Sequence, residues 1–276
     1  MAISSFIPTI WSETLLHKLD QSYVGVANCT REFEGEIREK GSRVRICGLN
    51  PVTVADYTKN TDMSQPSMLT DNSKDLLIDQ AKYFNFQIDD VDLAQSNPHL
   101  METALKTAAA SLSKEADLYV YSLTPRADTT VMKTVTVDTV IETLIDARTL
   151  LLKNGVADPS EIVIELTPEI AAMVMKAKIA LSTDNTAPLE NGCIGAIGGS
   201  KIFVSPHLSV TDEGESMTHI CLMRTRRAIA FAEQLSEVEA YRPERRFADA
   251  VKGLHLYGAA VVRADEMVEL RLTVAK

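Results

Sequence analysis

The stretch from Tyr83 to Ser122 constrains the fold more than any other part of the chain, because it predicts a strand followed closely by a long helix. Phe84, Phe86 and Ile88 alternate with polar residues, which is the pattern of a strand with one apolar and one solvated face. An acidic turn separates this strand from the helix. The pair therefore predicts a sheet with a helix beside it.

The helix has recognisable ends and one apolar stripe. We expect Asn97 to cap its first turn and Pro98 to take the first helical position, where a missing N–H costs nothing. The helix should stop by Thr124, because the residue before a proline disfavours the helical region. At 1.5 Å per residue it would be roughly 35 Å long. A narrow stripe on an Ala-rich helix indicates a helix laid across a sheet rather than one buried on all sides. The stripe consists of Met101, Leu105, Ala108, Leu112, Ala116 and Tyr119.

Composition and charge narrow the class of protein. The 276 residues are 45% hydrophobic and 24% charged, which is typical of a globular chain with room for one large domain or two modest ones. The net charge of −10 argues against a sequence-independent nucleic-acid binder. No apolar run reaches the length of a membrane span, and the N-terminus lacks the basic and apolar regions of a signal peptide. We therefore expect no membrane partner and synthesis and use in the cytoplasm.

No pattern of reactive side chains predicts an enzyme. The histidines form no zinc or protease motif, no serine lies in a nucleophile elbow, and no cysteine has a histidine placed beside it by sequence. Three aspartates before the helix could bind a hard cation, but capping of the helix explains them more simply. We expect no catalytic, cofactor-binding or metal site, and reduced thiols at the four scattered cysteines. The residues considered are Asp89, Asp90, Asp92, Cys29, Cys47, Cys193 and Cys221.

The first eighty residues predict an arm and a hairpin. Residues 1–30 read as extended around Phe6 and then briefly helical, and Trp11 could pack on its own domain or on a neighbour. Residues 31–80 contain a basic strand-like run and then a polar stretch with too little apolar surface to hold itself together. Long loops of this kind usually have a task or a partner. The basic residues are Arg38, Lys40, Arg43 and Arg45.

Residues 131–225 predict a compact α/β unit. Asp138 can cap a helix that ends at Asn154, a strand follows, and Thr167 with a proline after it opens a second helix. Further short strands lead to two probable C-terminal strands. The core candidates of the first helix are Val140, Ile141, Leu144, Ile145, Leu151 and Leu152.

Two arginine groups near the end of the chain could bind phosphate, but the acids around them make salt bridges between subunits the better interpretation. The first group is Arg224, Arg226 and Arg227. The second, with one of its acids, is Arg242, Glu244, Arg245 and Arg246.

The order of these pieces resembles the major capsid proteins of tailed bacteriophages, which have the Hong Kong 97-type shell fold. The resemblance spans nearly the whole chain and is carried by GLNPVTVADYTK, by KYFNFQIDDVDLAQS before the long helix, and by FAEQLSEVEAYRPERRFADAVKGLHLYGAAVV. It implies an α+β fold with an N-terminal arm at 1–30 and an extended E-loop at 31–80. A peripheral domain with the spine helix would follow at 81–130, an axial domain at 131–225, and a return to the peripheral domain with C-terminal strands at 226–276.

The resemblance also implies a function. The chain would be a structural protein, not an enzyme, that forms hexamers and pentamers and encloses DNA without sequence-specific binding in a virion assembled in the host cytoplasm. Because the arm begins almost at Met1, we expect a separate scaffold, besides a portal and possibly a decoration protein, and we expect no covalent cross-link. The alternatives are an encapsulin-type nanocompartment shell and, from another class, a soluble α/β enzyme. The expected inter-subunit residues are Phe6, Trp11, Arg38, Lys40, Arg43, Arg45, Arg242, Glu244, Arg245 and Arg246.

Overall fold

The computed structural model describes residues 15, 17–33, 41, 43–49, 56, 59, 62, 71–89, 100–156, 158–177, 193–212, 214, 216–245 and 247–275. Several sequence predictions fall outside these ranges. They are the cap at Asn97 and Pro98 and the inter-subunit residues Phe6, Trp11, Arg38, Lys40 and Arg246.

A two-stranded hairpin follows the N-terminal residues. β1 (Arg43–Leu49) pairs antiparallel with β2 (Asp71–Leu77), so Arg43 lies opposite Leu77 and Leu49 opposite Asp71. The hairpin predicted within residues 31–80 is therefore present at its base. Its apolar residues pack on the neighbouring sheet rather than on one another alone, in a cluster of Val44, Ile46, Leu76, Ile78, Ala230, Ala232 and Leu256.

The hairpin base lies against a three-stranded antiparallel sheet in the order β10-β11-β3. Its strands are β3 (Gln80–Asp89), β10 (Ile229–Tyr241) and β11 (Ala248–Val261). The helix α1 (Leu100–Tyr121) packs on this sheet. Gly258 on β11 permits the close approach of the hairpin, because a Cβ there would lie 2.2 Å from the carbonyl oxygen of Leu77.

A second, seven-stranded sheet has the order β4-β12-β9-β5-β7-β6, with β8 added on β9. Helices α2 (Val140–Lys153) and α3 (Pro168–Lys176) pack against it and share its apolar core. The strands are β4 (Thr129–Thr134), β5 (Ile162–Leu166), β6 (Cys193–Ile197), β7 (Ser200–Val204), β8 (Val210–Asp212), β9 (Ser216–Thr225) and β12 (Met267–Ala275).

The expected α+β class and the strand–helix pair at its centre are confirmed, with corrections to the buried stripe of α1. Leu105, Leu112 and Ala116 are buried as predicted, but Ala109 and Val120 are buried where Ala108 and Tyr119 were expected. Spacing alone could not separate these adjacent positions, since steps of three and four along a helix share one broad face.

Two further details of the α/β unit differ from the prediction. Thr139, not Asp138, takes the N-cap position of α2, and Ile145 is 46% exposed because Ala147 occupies the buried face instead. The last strand, β12, lies in the seven-stranded sheet between β4 and β9, with β4 parallel to it.

Within the described residues, no helix combines the length and the apolar character needed to cross a membrane.

Candidate functional site

The described residues contain no group of three or more His, Cys, Asp and Glu side chains able to hold a metal ion. The nearest approach to a catalytic grouping is His219, whose Nδ1 lies 3.0 Å from Thr167 Oγ1, with Cys221 two residues further along the strand. Burial raises the pKa of the Cys221 thiol to about 12, and this residue is fully buried. A neutral, inaccessible thiol cannot serve as a nucleophile, so this cluster is part of the packing of the sheet.

The most strongly organised polar group in the described chain is a buried ion pair between two adjacent strands of the seven-stranded sheet. Arg224 on β9 and Glu165 on β5 are both 0% exposed. Arg224 donates from Nε to Glu165 Oε2 and from Nη2 to Glu165 Oε1, both at 3.1 Å. Its remaining donors reach the carbonyl oxygens of Asn28 at 2.6 Å and Gly25 at 2.9 Å. Each of the three guanidinium nitrogens thereby donates to this one carboxylate or to one short backbone segment.

That segment, residues 24–28, which we call the root segment, is also held from α1. Asp117 accepts the backbone N–H of Val26 at 2.9 Å and that of Val24 at 3.1 Å. Burial raises the pKa of Asp117 from 3.8 to about 6, outweighing the effect of these N–H donors. The root segment is therefore clamped between the long helix on one side and the seven-stranded sheet on the other.

A second cluster fixes the chain on either side of the root segment to the three-stranded sheet. Glu233 on β10 accepts hydrogen bonds from Tyr23 Oη and Arg31 Nη2, each at 2.5 Å, and lies 2.8 Å from His255 Nε2. Burial would raise the pKa of Glu233, but the contacts with His255, Tyr23 and Arg31 hold it below its ordinary value. The carboxylate is thus charged near neutral pH and joins three elements.

Sequence reasoning missed both clusters. It assigned Arg224 to salt bridges between subunits, and this is wrong, because the side chain is fully buried and paired within the chain. Arg227 likewise pairs internally, with Glu161 at 2.9 Å. The available signal was one charged residue inside each of two otherwise apolar runs, ICLMR and IVIEL. Opposite charges in two buried strands predict that the strands lie side by side.

The described members of the predicted inter-subunit set all lie on the surface. Arg43 Nη1 and Arg45 Nε each lie 3.5 Å from the carboxylate of Asp75 on the opposite strand of the hairpin. At the turn between β10 and β11, Arg242 Nε lies 3.5 Å from Asp249 Oδ1, and Glu244 and Arg245 are exposed. These residues form two groups, one at the hairpin and one at that turn. Contacts of either group with another subunit remain a prediction.

Comparison with known proteins adds the missing context. No family model matches the chain, and no curated protein matches it. A solved structure from Mycobacterium phage Che8 is 26% identical, with 90% of each chain covered and a TM-score of 0.69. The capsid of Ralstonia phage GP4 is 11% identical over 94% of this chain and 91% of that one, with a TM-score of 0.70. A virus-like particle from Pyrococcus furiosus is 11% identical over 94% and 96%, with a TM-score of 0.57.

These similarities define the class of fold as the one shared by the phage capsid and virus-like particle structures. Within that class, the predicted resemblance to the capsid proteins of tailed phages is confirmed over about nine-tenths of the chain.

Replacing Arg224 by Met should lower the free energy of unfolding by about 3–5 kcal/mol, because it leaves Glu165 buried without its partner. Urea unfolding measures this loss. The double variant Arg224→Met with Glu165→Met should recover only part of it, because no charge is then left buried but the carbonyl oxygens of Gly25 and Asn28 still lack their donor. The exposed control Arg43→Met should change stability by less than about 1 kcal/mol. Equal effects of Arg224→Met and Arg43→Met would contradict the assigned role.

Asp117→Asn should alter how stability depends on pH. The pKa of Asp117 is about 6 in the folded chain, against 3.8 in the unfolded chain. Between these two pH values the folded chain therefore keeps a proton that the unfolded chain has released. The stabilisation that this difference in pKa provides is complete below pH 3.8. It is lost as the pH rises towards 6, which lowers the free energy of unfolding by up to about 3 kcal/mol.

The Asn variant lacks this proton, so the difference in stability between variant and parent should change between pH 4 and pH 6 and level off above about 6.5. Urea titrations at half-unit steps measure it. Glu165, Arg224 and Tyr121 face the same position and stay unchanged in both proteins. A constant difference across this range would show that Asp117 keeps its charge when folded.

Proposed function

We propose that this chain is the major capsid protein of a tailed phage, assembling as hexamers and pentamers into an icosahedral head around double-stranded DNA. The observation that carries the proposal is the shared fold with the Che8 structure, over 90% of both chains with 26% of residues identical. The capsid of GP4 has the same fold at a similar TM-score. The five domain limits expected from the sequence and the separate scaffold, portal and decoration partners belong to this proposal.

The described surface suits a protein whose partners are copies of itself. The β1–β2 hairpin is fixed at its base by apolar packing, while the sequence between its strands is polar and poor in apolar residues. The basic residues Arg43 and Arg45 project from the hairpin on a chain of net charge −10. Surface charges of opposite sign orient encounters between subunits more than they add affinity.

The acidic balance also supports enclosure of DNA without tight binding. A chain of net charge −10 repels phosphate on average, so a lining made of it would not hold the genome by counterion release. This distribution would let DNA move during packaging.

A nanocompartment shell, comparable to the virus-like particle from Pyrococcus furiosus, is the second candidate, because that structure also covers 94% of this chain. The contents of purified particles distinguish the two functions. DNA inside particles made during infection supports the capsid, and a packaged enzyme supports the nanocompartment.

The size of the purified protein tests the shell proposal first. Light scattering with negative-stain electron microscopy should show closed shells, or rings of five and six subunits. Addition of candidate scaffold proteins covers the case in which assembly needs one. A chain that remains a monomer at high concentration and with scaffold present would exclude both shell functions and favour a soluble enzyme.

Charge reversal on the hairpin should impair assembly without unfolding the subunit. Arg45→Glu loses only an exposed pair with Asp75, so the free energy of unfolding should fall by no more than about 1 kcal/mol. If Arg45 also meets acids of a neighbouring subunit, the yield of assembled particles should fall several-fold, most strongly at low salt.

The matched control is Arg45→Glu combined with Asp75→Arg, which restores the pair at position 45 but not the original charge there; Asp75→Arg alone, measured beside it, shows the effect of losing the pair between Arg43 and Asp75. Assembly that recovers fully in the double variant would assign Arg45 to the hairpin alone. Assembly that stays impaired would place its partner on another subunit.

A further inference from the structure

Phe247 is the most exposed large apolar side chain in the described part of the chain, at 85%. It lies in the turn between β10 and β11, directly before Ala248. Aromatic side chains carry a large apolar area, and they are enriched at the centres of protein interfaces. Because folding of the subunit leaves this ring in water, its apolar surface is available for a contact with another molecule.

A hollow on the three-stranded sheet has the size and the lining to receive one aromatic ring. It has a volume of about 270 Å³. Its walls are Tyr83, which is 79% exposed, and Leu254, which is 38% exposed and lies directly opposite on β11. Its floor is at Gly253, where a Cβ would come within 2.5 Å of the Phe84 ring. Aromatic and aliphatic groups therefore surround a space that a side chain at position 253 would otherwise fill.

Charged side chains surround both surfaces. At the hollow, Lys252 Nζ lies 2.7 Å from Glu239 Oε2, and both residues belong to its lining. At the turn, Glu244 and Arg245 are exposed close to Phe247 in the chain. An apolar centre with charged groups around it is the usual composition of a protein interface, and charges of both signs orient the approach of a partner.

We propose that Phe247 of one copy of the chain inserts into the hollow between Tyr83 and Leu254 of a second copy. The inference rests on the proposed function, because it requires self-assembly. It identifies an anchor side chain and its receptor, and described residues form both of them.

The ring of Phe247 cannot reach the hollow of its own subunit. β11 is paired from its first residue, with Ala248 opposite Asp89 on β3, so the position of the turn relative to the sheet is fixed. Leu254 lies about 23 Å further along the extended strand, at 3.3 Å per residue. No side chain spans that distance, and the ring that enters the hollow must come from another copy.

The position of Phe247 on a turn separates it from the other exposed apolar side chains of the described residues. Those side chains lie within helices or strands, so each could enter a hollow between two strands only by bringing its whole element against the sheet. A turn can place a single side chain there. Apart from the two residues that line the hollow, the others are Leu77, Leu118, Met132, Ile145, Met175 and Val210.

The turn and the hollow are different surfaces of one subunit, so the proposed contact is head-to-tail. Each copy inserts its own Phe247 into one neighbour and offers its hollow to another. Repetition of such a contact gives a closed ring when the rotation between copies closes, and an open chain when it does not. One pair of surfaces therefore generates assemblies larger than a dimer.

Disulfide trapping in the full chain tests the contact. The variant carries both Phe247→Cys and Leu254→Cys, and its assembled fraction is treated with a mild oxidant. We expect a ladder of dimers, trimers and larger products on a non-reducing gel, because each copy offers one thiol at the turn and one in the hollow. The two positions of one copy are too far apart for a disulfide between them. The parent chain, treated alike, gives the background from its own four cysteines.

The single variants and a displaced pair are the controls. Phe247→Cys alone and Leu254→Cys alone should each give no more than a fifth of the linked product. The same limit is expected for Phe247→Cys combined with Met132→Cys, whose second site is 65% exposed but lies on β4 of the other sheet.

Removal of the ring tests its importance for assembly. Phe247→Ala should lower the yield of assembled particles at least fivefold, and it should leave the urea midpoint of the isolated subunit unchanged because the ring is exposed there. Phe247→Tyr keeps the ring and should assemble to within twofold of the parent. Met132→Ala removes another exposed apolar side chain and should also assemble to within twofold.

The outcomes separate the two proposals. Three results would overturn the contact and leave the shell function standing: assembled particles without a ladder in the double-cysteine variant, dimers from Phe247→Cys alone, which would show that turn meets turn, or a parental yield from Phe247→Ala. A parent chain that never assembles would overturn the shell function and this contact with it.

Discussion

The ion pair between Arg224 and Glu165, within the seven-stranded sheet, is the interaction on which the position of the root segment depends. A buried pair of this kind contributes little net stability, because desolvation of both charges offsets most of their attraction. Its effect is specificity: the guanidinium finds all its acceptors only when Gly25 and Asn28 lie between β9 and α1. Any displaced packing would leave a charge buried without a partner, so alternative positions of the root segment are excluded.

Fixing the root segment has consequences for the surface. Asp117 holds the root segment to α1, and Glu233 holds Tyr23 and Arg31, on either side of it, to the three-stranded sheet. The β1–β2 hairpin is seated just as firmly at Gly258. In the shell that we propose, segments that meet other subunits would start from these fixed positions. Such preorganisation reduces the entropy lost on association.

Local patterns predicted the elements and not the contacts between them. Alternation located β3, and helical spacing with the stop before Pro125 located the end of α1 to within a few residues. The pair Arg224 and Glu165 could not be placed, because the residues lie 59 positions apart and only the assembled sheet makes them neighbours. The same holds for β12, whose sequence specifies a strand but not the sheet that accepts it. The hairpin charges were located, but their partners on other subunits are not determined by one chain.

The balance between charge and exposed apolar surface bears on how copies of this chain would meet in the shell that we propose. Tyr83 and Phe247 are 79% and 85% exposed, and an open strand edge lies beside the first. In a neutral protein these features would favour irregular aggregation. A net charge of −10 repels copies at long range, and this repulsion is screened within about 10 Å at moderate salt. Only approaches that bring complementary charges and apolar surfaces together at once are then favourable, which restricts association to ordered geometries.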